Sequence, residues 1–192
     1  MKIASGELVR QAMVLLNESM EELAEAVDYG DMGMELRQLA AELLPGSAAE
    51  SMIRAESADI NEAMPLEGNY RLVKEDDRTV GEMLLPSDFL RLIEVRMPDW
   101  EESQTAFVTP ARQRQWLRHH PSMQSLTPAL TLRHSQHGMV MRIHGTQSIT
   151  PPVTALYLPR PAILNGMIWI PSSLRDDVAH TLAQNIKKVT GD

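Results

Sequence analysis

Through the first sixty residues the apolar positions recur at helical spacing. Leu8, Ala12, Leu15 and Leu16 share one face behind Ser5, a residue type that caps helix N-termini. Asn17-Glu18-Ser19 interrupts this face. Met20, Leu23, Ala24 and Val27 then predict a second short helix or helical turn, which Tyr29-Gly30-Asp31 breaks. Leu36, Leu39, Ala40 and Leu43 predict another helix over 34–44, with Pro45-Gly46-Ser47 as its stop. Ala49, Met52, Ile53 and Glu56 are in period for a further helix over about 48–60. Alanine, methionine and leucine are good helix formers, so composition and pattern agree on a small helical layer.

Near Tyr70 the period changes to two. Tyr70 and Leu72, followed by Val80 and Met83, predict a β-hairpin turning at Glu75-Asp76-Asp77-Arg78. Pro86-Ser87-Asp88 is turn chemistry that delivers a third strand over 89–97. In that strand Phe89, Leu90, Leu92, Ile93 and Val95 are apolar, and Arg91, Glu94 and Arg96 mark the exposed points. Pro98-Asp99-Trp100 closes it. A short strand is predicted over 105–108, before Thr109 caps a short helix that Pro110 begins. Residues 130–132 and 139–143 predict a hairpin around Ser135-Gln136-His137-Gly138, and 153–158 is a strand by propensity. Residues 167–170 are a short apolar run. Pro171-Ser172-Ser173 introduces a last helix over 174–189, with Leu174, Val178, Leu182 and Ile186 at i, i+4 spacing. The expected fold class is therefore α+β. Residues 1–62 form a helical region and 63–170 a β-rich insert or second lobe with a short helix near 110–118. Residues 171–192 form a helix that packs on the N-terminal helices, because its apolar face needs a partner.

Composition changes this picture little. With 192 residues, 43% hydrophobic and 23% charged, the chain is globular and long enough for one large domain or two small ones. No apolar run approaches the roughly 18 residues of a membrane span, and the first seven residues lack the apolar centre of a signal peptide. Work or assembly inside a cell is the expectation. The absence of cysteine excludes disulfides, thiol catalysis and thiolate metal sites.

Charge changes it more. The net charge is −8, yet residues 1–62 carry thirteen acidic against four basic side chains, and 103–175 carry no acidic residue at all. That second stretch holds Arg112, Arg114, Arg118, Arg133, Arg142, Arg160 and Arg175 with five histidines. Arg112, Arg114 and Arg118 flank Trp116, a combination that can track a nucleic-acid backbone and stack a base. The same residues also fit a surface helix anchored by Trp116 and Leu117. An acidic helical front of one copy could also meet the basic β region of another copy.

Catalytic constellations find no support. His134 and His137 stand three apart in a hairpin turn with no Asp, Glu or Cys nearby in sequence, short of the third ligand that catalytic zinc sites need; His119, His120 and His144 lie elsewhere. Ser5, Ser47 and Ser87 lie in no Gly-x-Ser-x-Gly elbow. Gly30-Asp31-Met32-Gly33 lacks the lysine and the preceding strand of a phosphate loop. Neither an enzyme nor a cofactor is expected.

The order of elements carries a resemblance. N-terminal helices lead into a β region approached through Leu85-Pro86-Ser87-Asp88-Phe89-Leu90-Arg91-Leu92. A Val95-Arg96 with Trp100 close behind, a Leu156-Tyr157-Leu158-Pro159 strand and a closing helix follow. This resembles the head–tail connector (adaptor, head-completion) proteins of tailed bacteriophages, short-tailed ones in particular. The resemblance runs over 8–17, 84–96 and 155–183, and the histidine-rich middle departs from it. It implies a homo-oligomeric ring, twelve-fold in such proteins, that docks beneath the portal, extends the DNA channel and provides a platform for tail or nozzle proteins. Packaged DNA would pass through without sequence-specific contact. Arg112, Arg114, Arg118, Arg133 and Arg142 become candidates for the subunit interface or channel wall. Lys187 and Lys188, at the end of the last helix, become candidates for docking on the portal or platform. The implied location is the virion's head–tail junction, reached from the host cytoplasm. A nucleic-acid-binding module built on 112–118 is the alternative.

Overall fold

The computed structural model describes residues 1–20, 29–56, 62–75, 78–109, 111–112 and 128–191. The fold is α+β and divides into two compact units, one formed by 1–62 with 160–192 and the other by 63–159.

The first unit packs three helices, α1 (Ser5–Met20), α2 (Tyr29–Arg54) and α3 (Arg175–Thr190). Leu8, Ala12 and Leu16 of α1 and Val178, Leu182 and Ile186 of α3 are buried, as their spacing predicts. Asp176 and Asp177 in the first turn of α3 and Lys187 and Lys188 in its last turn complement the helix dipole. Gly191, at φ 85°, closes α3 by donating its N–H to the Lys187 carbonyl. Polar contacts fix the helix pairs. Arg175 pairs with Glu7 at 2.5 Å, Gln11 donates to Asp176 at 2.9 Å, and Ser51 donates to Thr181 Oγ1 at 2.9 Å.

Two expectations in this unit are corrected. Ser5 does not cap α1. It is the first helical residue, and both its N–H and its hydroxyl donate to the Gly166 carbonyl. It is held there because strand β1 (Lys2–Ala4) runs directly into α1 and pairs with β10 (Met167–Trp169), which pairs in turn with β9 (Ile163–Leu164). Asn165 and Gly166, at φ 52° and 71°, make the tight β9–β10 turn, as Asn-Gly does where two successive residues need positive φ. The hairpin therefore belongs with the helices, and the division drawn at 170 from the sequence moves back to Arg160.

The second correction concerns breaks. α2 begins at Tyr29, where a break was expected, and continues unbroken through Pro45-Gly46-Ser47. A proline inside a helix forfeits one hydrogen bond and crowds the preceding turn, at about 3 kcal/mol. The face of Ala40, Leu44, Ala48 and Met52 is fully buried on both sides of Pro45, and burial of that face outweighs the local penalty. Ser47 donates to the Leu43 carbonyl at 3.0 Å and accepts from Asn185 of α3, so the would-be stop is a packing position. Gly46 is exposed, and a Cβ there meets nothing within 4 Å. Gly46→Ala is expected to stabilise the helical unit by about 0.5–1 kcal/mol through helix propensity. A thermal midpoint that stays or falls would contradict a continuous helix here.

The second unit buries one core between two antiparallel sheets. One sheet is ordered β3 (Tyr70–Glu75), β4 (Arg78–Leu84), β7 (Gly138–His144), β6 (Ala129–Ser135), and the other β2 (Met64–Pro65), β8 (Thr154–Pro159), β5 (Phe89–Arg96). Both predicted hairpins form, with Glu75 opposite Arg78 and Ser135 opposite Gly138. The shared core includes Leu66, Met83, Leu92, Val95, Met97, Trp100, Leu130, Met141, Ile143 and Tyr157. Phe89 stacks on Tyr157 at 5.8 Å and meets Phe107 edge-on at 6.1 Å.

β5 does not join β4. The Leu85 N–H donates to Met139, and the Pro86–Phe89 turn sends the chain across to the other sheet, where β5 pairs with β8. Register shifts after Phe89 and after Leu92 break strict alternation, which is why neighbours Leu92 and Ile93 are both buried. The strand expected over 105–108 is absent. That segment makes only a bridge of Gln104 to Val95 and one bond from the Val108 N–H to Leu130, too little pairing for a ladder. Asp99 clasps the loop after β7. It accepts from Thr146 Oγ1 and from the Gln147 N–H, both at 2.8 Å, while Trp100 Nε1 donates to Gly145. Burial pushes the Asp99 carboxyl up, and these hydrogen bonds outweigh it and hold it below the usual range.

Candidate interaction surface

The charged centre of the β unit is a row across the four-stranded sheet. The β3–β4 register sets Arg71 opposite Glu82, and the β4–β7 register sets Arg142 opposite the same Glu82. Directly opposed residues lie close enough for their side chains to meet on one face. Arg71 binds Glu82 Oε2 at 2.9 Å. Arg133 of β6, diagonal to Arg142, and the Nε of Arg142 approach Oε1 at 3.5 and 3.6 Å. Arg142 also pairs with Glu75.

Glu82 is only 2% exposed. A carboxylate removed from water at that depth is tolerated only with compensating charge, and three guanidiniums supply it. The compensation is lopsided. Three guanidiniums share two carboxylates, and neither Glu82 Oε1 nor Arg142 Nε makes a hydrogen bond. Arg142 is largely enclosed at 14% exposure, whereas Arg71 and Arg133 are 69% and 47% exposed. The two open arginines line a groove of about 1050 Å³ whose walls include Asn69, Leu84, Pro86 and His137. Leu84 is exposed, which gives the groove an apolar side.

The sequence-predicted candidates fall into three groups. Arg133 and Arg142 come together around Glu82. Arg112 is exposed in a helical stretch, 111–112, where Thr109 Oγ1 accepts its N–H at 3.4 Å, as the expected cap requires; Arg114, Trp116 and Arg118 lie outside the described residues. Lys188 donates to Asn185 at 3.1 Å beside a half-buried Lys187, in the other unit. Among the described residues the histidines do not converge. His134 and His137 are exposed near the β6–β7 turn, and His144 is buried with its Nε2 2.9 Å from Thr131 Oγ1; His119 and His120 lie outside the described residues. Among the described residues no three His, Asp or Glu side chains are placed to hold a metal ion, and no helix is long and apolar enough to cross a membrane.

Glu82, Arg71 and Glu75 were not singled out by sequence reasoning. Folding also redistributes the charge division seen along the chain. The helical unit holds sixteen acidic and eight basic side chains, the β unit ten of each, so the entire net charge of −8 belongs to the helical unit. The part of the basic stretch within the β unit, 103–159, is balanced there by acidic residues between Glu67 and Glu102.

The chain matches no protein-family model and no curated protein sequence.

Proposed function

We propose that this chain is a structural, ring-forming virion protein of the head–tail connector kind. It docks beneath the portal, extends the DNA channel and offers a platform for tail proteins. The observation that carries the reading is the insertion of a β unit between α2 and the β9–β10–α3 segment of a helical unit that holds all of the net charge. The net charge of −8 on every copy opposes self-association, so contact between copies rests on local charge pairs, and a heterologous contact closes into a ring when the rotation between neighbours permits. The element order that resembles connector proteins supports the same assignment.

The test is co-assembly. Purified protein mixed with a portal ring is expected to add one further ring of subunits visible by electron microscopy. The simultaneous changes Arg112→Glu, Arg114→Glu and Arg118→Glu are expected to impair that assembly without altering the thermal midpoint. Duplex DNA affinity is expected to be weak and independent of sequence. If three arginines engage phosphates, log K falls against log salt with a slope of about −3. It is expected to vanish near physiological ionic strength, because the acidic unit repels the polymer. Tight duplex binding at physiological salt, with no attachment to the portal, would replace this reading with the nucleic-acid module.

A further inference from the structure

We propose that the groove beside Glu82 is a docking site for a second copy of this chain, and that the acidic amphipathic segment 18–31 of that copy occupies it. The inference rests on the ring-forming reading and names the contact that reading requires.

The groove's lining includes the exposed Glu67 and the buried Glu82, and of these only Glu82 pairs with Arg71 and Arg133. Arg71 and Arg133 each direct one terminal nitrogen at Glu82, and Arg133 does so only at 3.5 Å. A guanidinium carries five N–H donors in a planar fork, so most of these donors remain for an incoming group, and a carboxylate can take two in parallel. Glu82 also fixes where the guanidiniums stand, which lowers the conformational entropy lost on binding. Beside them Leu84 and Pro86 offer apolar surface. The matching ligand therefore carries carboxylates and apolar side chains together. A nucleic-acid backbone would satisfy the arginines and leave Leu84 uncovered.

The chain itself contains such a ligand. Between Arg10 and Arg37 there is no basic residue, and the segment 18–31 holds Glu18, Glu21, Glu22, Glu25, Asp28 and Asp31 interleaved with Met20, Leu23, Ala24 and Val27. It belongs to the unit that carries the whole of the net charge, and the groove belongs to the neutral one. Engagement of one copy's groove by the next copy's segment is a heterologous contact, the kind from which rings are built.

The experiment titrates the full-length protein into a fluorescently labelled synthetic peptide of residues 18–31 and reads anisotropy at low ionic strength. Saturable binding that weakens as salt rises is expected. Gln136→Glu with His137→Glu, two exposed changes at the groove rim that leave the Glu82 cluster intact, is expected to weaken binding at least tenfold. Arg71→Gln with Arg133→Gln is expected to do the same. A peptide with glutamine and asparagine in place of its acidic residues is expected not to bind. No binding by the parent, or equal binding by the rim variant, overturns the proposal. Displacement of the peptide by duplex DNA reassigns the groove to phosphate and overturns it as well. Binding seen only after the chain's own 18–31 carboxylates are changed to amides shows occupation within one chain, and removes the second copy. Rings that form on a portal with the rim variant, when the peptide does not bind, sink this contact and leave the ring-forming reading standing.

Discussion

Truncation after Ser173 is expected to abolish the cooperative folding of the helical unit. The deletion removes Leu174, Val178, Leu182 and Ile186, all buried, together with the partner face of α1 and α2. Full burial of a large aliphatic side chain contributes about 1.5–3 kcal/mol. Four of them amount to roughly 6–12 kcal/mol, comparable with the entire stability of a typical domain at about 5–15 kcal/mol. The loss does not end there. Leu8, Ala12, Leu44 and Met52 become solvent-facing, and Ser51 and Ser47 lose their α3 partners Thr181 and Asn185. The measurement is far-ultraviolet circular dichroism against temperature, with a dye that reports exposed apolar surface. The expected result is loss of the helical transition and strong dye binding, with whatever transition remains belonging to the β unit. A truncated chain that keeps a sharp helical transition would show that α1 and α2 hold together without α3, contrary to the burial observed.

What could be read from the sequence follows from how local the governing interaction is. α3 was legible because its i, i+4 apolar stripe, first-turn carboxylates and last-turn lysines all point to the same helix. The 75–78 and 135–138 hairpins were legible because each turn sets its own register. α2 was misread because Pro45-Gly46 is a strong local stop, and the burial that overrides it involves α3, more than a hundred residues downstream. β1 was missed because three residues carry no readable period, and their partner β10 lies at the far end of the chain. The candidate surface was half legible. Given the turn at 75–78, the register already sets Arg71 opposite Glu82. Arg142 reaches Glu82 only through the β4–β7 pairing, which no local signal specifies. Counting charge along the chain therefore marked Arg133 and Arg142 as free basic residues, when the fold pairs both with Glu82.

Phe89→Ala is expected to destabilise the β unit by about 3–5 kcal/mol, the range for truncating a large aromatic side chain in a core. Phe89 is 8% exposed at the start of β5, stacked on Tyr157 and edge-on to Phe107. Each aromatic pair adds about 0.5–1.5 kcal/mol beyond area burial. Collapse around the cavity is hindered, because Tyr157 is held by its hydroxyl bond to Asp88 at 3.2 Å and by the β5–β8 ladder. Burial and the facing Asp88 carboxylate both push the Tyr157 hydroxyl's pKa up, so it stays a protonated donor at neutral pH. Urea unfolding slopes for domains of this size are about 1–3 kcal/mol per molar, so the midpoint should fall by more than about 1 M. Trp100, buried in the same core, is the natural fluorescence reporter. Phe89→Leu separates the causes: it keeps most of the volume and loses both ring contacts, and should cost clearly less than the alanine. An alanine variant with an unchanged midpoint would remove β5 from the core, and with it the packing that joins the two sheets.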